Sequence, residues 1–101
     1  MPQLVVAEVA YFVEKRLGWR AEVRFLGDLV IGNFTTEPVL PGDWHRIAEL
    51  VSTYRDLRLG TVDASVIATA ERLWASTIAT LDRRHFSVVR PKHVRAFEIV
   101  P

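Results

Sequence analysis

Apolar residues recur at helical spacing near the start of the chain, where Leu4, Val5, Val9, Phe12 and Val13 share one broad face and Gly18 follows as a stop. The pattern predicts an amphipathic helix over Leu4 to Leu17. A weaker helical stretch runs from Ala21 to about Leu29 and is broken by Gly32-Asn33, before the strand-like run Phe34 to Glu37 and the turn at Pro41-Gly42. Asp43 reads as an N-cap. After it Trp44, Ile47, Leu50, Val51 and Tyr54 keep the spacing of a helix with one buried face. Thr61 and Asp63 are helix-starting residues for an Ala-rich run in which Val62, Val66, Ala70 and Leu73 recur. Thr77 to Leu81 is a β-branched strand ended by the charged turn Asp82-Arg83-Arg84-His85, and Phe86 to Val89 and Ala96 to Val100 are the last strand candidates. Helices alternating with short strands across short connections predict an α/β domain with a mainly parallel sheet.

Length and composition fit one globular domain spanning residues 1–101: half the residues are hydrophobic and 25% are charged, with no internal repeat or linker. The absence of cysteine excludes a disulfide framework, a zinc ribbon and thiol chemistry, and it fits a reducing compartment. No apolar run approaches the ~20 residues of a membrane span. Met1-Pro2-Gln3 lacks the basic start of a secretory signal, so the expectation is a soluble cytoplasmic protein. The net charge of +1 is unevenly spread. From Asp82 onward five basic residues face two acids, a local balance of +3, while the rest of the chain is slightly acidic. Such a tail suits a polyanion or an acidic partner, and equally a solvated surface. No zinc-type histidine pair, phosphate-cradling Gly-rich loop or GxSxG elbow occurs.

Three carboxylates stand out by position. Glu8 falls between Leu4 and Phe12, inside the apolar face, where a buried carboxylate needs a cation, an arginine or a metal ion; an edge position reaching water is the alternative. Asp82 directly follows the strand from Thr77, at the end where open α/β sheets bind ligands, unless it only opens a turn. Asp63 begins the preceding helix, a position that also suits simple capping. Converging acids of this kind would hold a hard divalent cation, which prefers oxygen ligands, and such a site can activate water for attack on a phosphodiester.

The run Asp56-Leu57-Arg58-Leu59-Gly60-Thr61-Val62-Asp63-Ala64-Ser65-Val66-Ile67-Ala68, followed by Thr77-Ile78-Ala79-Thr80-Leu81-Asp82-Arg83-Arg84-His85-Phe86, resembles PIN-domain proteins, nearest the VapC-type toxins. Leu4 to Tyr11 resembles the helix that carries the family's second acid. The likeness covers nearly the whole chain. It implies a three-layer α/β/α fold and a metal-dependent endoribonuclease of a type II toxin–antitoxin system, with Glu8, Asp63 and Asp82 as catalytic and metal-holding acids for Mg²⁺ or Mn²⁺. RNA would be the substrate, a VapB-type antitoxin the inhibitor, and a homodimer would cover open sheet edges. Thr80 matches a small hydroxyl residue of the family and would bond a ligand or carboxylate; Asp56 is an auxiliary acid or simply the end of the preceding helix. The family's opening strand, with its first Asp, and its first helix have no counterpart here, so the expectation is a domain incomplete at its N-terminal end. Trp74 stands where the family usually has a small residue such as Gly.

Arg83 and Arg84 would contact RNA phosphates or the antitoxin, or form a solvated turn. A histidine is the side chain suited to acid or base work near neutral pH, but His85 has no orienting partner in the sequence and reads as structural, and Lys92, His93 and Arg95 read as surface residues. Trp19, Trp44 and Trp74 are expected to anchor a core or an interface. The rival reading is a non-catalytic PIN remnant that docks an antitoxin helix or a second copy of itself.

Overall fold

The computed structural model describes residues 1–79 and 86–100. The chain forms two compact units, residues 1–39 and 40–101.

In the first unit two helices pack on each other, α1 (Gln3–Leu17) and α2 (Trp19–Val30). Gly18 separates them at φ 88, a backbone conformation that a side chain would strain. α2 ends in a hydrogen-bonded cap: Gly32 at φ 84 donates to the Leu29 carbonyl, and Asn33 N–H reaches the Asp28 carbonyl. The chain then returns to its own start. Glu37 N–H donates to the Met1 carbonyl and Gln3 N–H to the Glu37 carbonyl, a single parallel bridge. The strand expected over Phe34 to Glu37 is therefore absent, because only Glu37 finds a ladder partner. Neither helix buries a residue fully, and Phe12, expected on the inner face, is 58% exposed.

The second unit holds the buried core. α3 (Pro41–Thr53) is followed by the 3₁₀ turn Arg55–Leu57 and then α4 (Thr61–Arg72). Asp43 is the third helical residue of α3 rather than the residue before it. Leu40 takes the cap position, and its N–H donates to Asp43 Oδ2 at 3.0 Å. Ile47 and Leu50 from α3 are buried, as is Ile67 from α4, whose neighbours Ala64 and Ala68 are small and also buried where the two helices pack. Fully burying a residue such as Leu50 or Ile67 contributes about 1.5–3 kcal/mol. Burial of α4 extends further round the helix than the spacing of Val62, Val66, Ala70 and Leu73 implies: Ser65 and Thr69 are inside, and Leu73 is half exposed.

β1 (Thr77–Ala79) pairs in parallel with β2 (Glu98–Val100), Ile78 opposite Ile99. This is the parallel pairing expected of the α/β class. Phe86 to Val89 is not a strand among the described residues but a turn whose Phe86 and Val89 are nevertheless buried, so its apolar residues anchor a loop. The three tryptophans are not core residues: Trp19 and Trp74 are exposed and Trp44 is half exposed.

Candidate functional site

Asp63 is the third residue of α4, half-buried, just after Gly60, which caps the helix. The unsatisfied N–H groups of a helix start favour a negative side chain there. Glu8 lies on α1 in the first unit and is exposed; the expectation that the apolar face encloses it fails because Phe12 beside it is exposed as well. Asp56 is exposed on the 3₁₀ turn. Asp82, Thr80, Arg83, Arg84 and His85 lie outside the described residues. Among the described residues no three His, Asp or Glu side chains gather in a way that could hold a metal ion. The candidate donors are carboxylates alone, which fits a hard divalent cation in type.

The second unit also contains a cleft that the sequence pattern does not reveal. It has a volume of about 360 Å³ and is lined by Arg46, Glu71, Arg72, Trp74, Lys92 and His93. Arg46 holds Glu71 through two bonds, Nε to Oε1 at 2.7 Å and Nη2 to Oε2 at 2.8 Å, and its Nη1 also pairs with Glu49. Arg72 Nε pairs with the buried Asp43 at 3.1 Å, and Lys92 N–H donates to Glu71 Oε2 at 2.7 Å. The hydrogen bond to Glu71 holds the Arg46 pKa above its ordinary value despite partial burial. For Glu71 burial acts upward, but the Arg46 bonds, the Lys92 N–H and the nearby positive charges together hold it below the usual range.

These pairs join the start of α3 to the end of α4, so the two helices run antiparallel. Asp63 and Glu71 are eight residues apart on α4, about 12 Å along the axis. The cleft therefore sits at the opposite end of α4 from Asp63. Its arginines are engaged with carboxylates, which makes it a bracing network. His93 packs between Trp74, edge to face, and Phe97, with Nε2 at 2.5 Å from the Ala75 carbonyl and a buried Nδ1 that has no hydrogen-bond partner among the described residues. A carbonyl partner puts the ring proton on Nε2.

Trp74 adopts φ 57, the left-handed region. Its N–H donates to the Glu71 carbonyl and Ala75 N–H to the Ala70 carbonyl, the bond pair that closes a helix at a residue usually Gly. The sequence signal for this was the tryptophan at a position where a small residue is expected.

Comparison with known proteins gives two findings. The PIN domain family matches residues 1–91. Ribonuclease VapC26 of Mycobacterium tuberculosis (strain ATCC 25618 / H37Rv) is 38% identical over 97 residues, covering 96% of this chain and 72% of that protein.

Proposed function

The chain belongs to the PIN-domain family as a VapC-type member, and from that premise we propose that it is a metal-dependent endoribonuclease, the toxin of a type II toxin–antitoxin system. The observation that carries the reading is the identity to a ribonuclease along nearly the whole chain. The family match runs through both compact units, which supports treating residues 1–101 as one PIN-like domain of three-layer α/β/α type.

In this reading Glu8, Asp63 and Asp82 hold Mg²⁺ or Mn²⁺. A divalent ion held by carboxylates polarises a phosphodiester and lowers the pKa of water for in-line attack. The chain's own residues position the reactants: α4 presents Asp63 from its first turn, Thr80 bonds a ligand or a carboxylate, Asp56 is an auxiliary acid, and Arg83 and Arg84 contact RNA phosphates or the antitoxin. The partners are RNA, a VapB-type antitoxin and a second copy of the chain, in the cytoplasm. No helix among the described residues is long and apolar enough to cross a membrane.

The test is cleavage of a mixed RNA pool by the folded chain. Cutting is expected with Mn²⁺, is abolished by EDTA, and falls by about 10²-fold or more in Asp82→Asn and Asp63→Asn, the scale on which a lost electrostatic stabiliser shows. A folded chain that cuts nothing with Mn²⁺ sinks the reading. A second reading, a non-catalytic binding module, draws support from exposed apolar surface on the first unit, where Trp19 is 65% and Val30 85% exposed. A binding module keeps its partner affinity in EDTA and in Asp82→Asn.

A further inference from the structure

We propose that Arg58 and Arg90 form a phosphate-binding rim that holds the backbone of single-stranded RNA beside Asp63; the inference rests on the ribonuclease reading and extends it to named substrate contacts. Both arginines lie in the second unit, on segments that hydrogen-bond to Tyr54, the residue that ends α3, and Arg58 precedes Asp63 by five residues.

Arg58 is exposed but its backbone is fixed. Its N–H donates to the Arg55 carbonyl at 3.0 Å and the N–H of Leu59 to the Tyr54 carbonyl at 3.4 Å, while Leu59 is buried at 2% exposure. These bonds hold Arg58 at φ 55, a left-handed conformation that strains a residue with a side chain and that Gly adopts freely. It is followed after one residue by Gly60, the cap of α4. Arg90 is pinned in the same way. Its N–H donates to the Tyr54 hydroxyl at 2.9 Å, its neighbours Val89 and Pro91 are buried, and its own side chain is exposed. Tyr54, which ends α3, thus ties the two arginine-bearing segments together.

Charge distinguishes these two arginines from their neighbours. Arg46, Arg72 and Lys92, the last only two residues after Arg90, are each engaged with a carboxylate. Among the described residues neither Arg58 nor Arg90 has a carboxylate partner. Cations carried on fixed backbone segments, with no counter-charge among the described residues, suit a phosphate chain.

The experiment is fluorescence anisotropy of a labelled single-stranded RNA oligonucleotide in EDTA, where nothing is cut, across a salt series. The expected result for Arg58→Gly, which suits the backbone, and for Arg90→Ala is several-fold weaker binding at low salt, with a log–log salt slope shallower by about 0.7 for each phosphate no longer neutralised. Arg58→Lys should keep the slope. Circular dichroism shows that each variant is folded. Slopes equal to wild type in both variants, or a wild-type chain that does not bind the oligonucleotide, overturn the proposal. So does an unchanged RNA slope with weakened capture of a co-expressed VapB-type antitoxin, which assigns the rim to an acidic protein partner. Mn²⁺-dependent cutting by the same preparation separates the two ideas: a chain that binds through these arginines without cutting refutes the nuclease reading alone, and one that cuts with unchanged slopes refutes the rim alone.

Discussion

Glu71 is the residue on which the electrostatics of the second unit converge, since it accepts from both the Arg46 guanidinium and the Lys92 backbone. Its pKa is held below the ordinary 4.5, so the folded state binds a proton there less readily than the unfolded chain. The stabilisation is present above the unfolded value and is lost as pH falls through the folded one. Glu71→Gln should therefore lower stability at neutral pH by about 1.5–3 kcal/mol, the range for hydrogen bonds to charged groups. In melts from pH 7 to pH 3 the gap to wild type should narrow below about pH 4.5, where both states come to carry a neutral side chain. A gap that stays constant across that range would remove Glu71 from the account. None of this is legible in the sequence, because Arg46 and Glu71 are 25 residues apart and only helix packing brings them together.

At the scale of elements, local signals worked where the structure is local. Gly18 ends α1, Gly32 closes α2, and Asp43 and Asp63 sit in the first turns of α3 and α4. They failed where an element needs a distant partner: Phe34 to Glu37 obtains one bridge, and Phe86 to Val89 forms a turn. The closing turn of α4 gives a direct test, since Trp74 occupies a left-handed position suited to Gly. Trp74→Gly should remove that strain at the cost of a mostly exposed ring packed against His93, stabilising the fold by about 0.5–1 kcal/mol in urea denaturation. Within the α3–α4 seam the opposite holds. Ala68 is 3% exposed, and Ala68→Leu should destabilise by about 1–3 kcal/mol through overpacking, read from the same denaturation curves.

At the scale of the whole molecule, the first unit leaves Trp19, Val23, Val30 and Ile31 exposed along and just beyond α2. Monomeric proteins rarely leave large contiguous apolar surface open to water. The expected outcome is self-association of the full chain, with a mass by light scattering that rises with concentration and falls toward the monomer in Val23→Glu. A concentration-independent monomer would leave the α2 face to another partner and remove the homodimer from the proposed assembly.

By itself the sequence determined four helices, a parallel β pairing near the C-terminus and the family, because periodicity, caps and the Asp56 to Ala68 motif act over a few residues at a time. Tertiary structure alone decided which faces are covered. Glu8 stands exposed although the wheel puts it on an apolar face, the tryptophans lie outside, and α4 is buried nearly all round. It also decided which charges are paired: Arg46 and Arg72 meet carboxylates across the α3–α4 pair, while Arg58 and Arg90 are held by backbone hydrogen bonds without a described counter-ion. Burial and ion pairing depend on neighbours distant in sequence, and the spacing of residues along one helix carries no record of them.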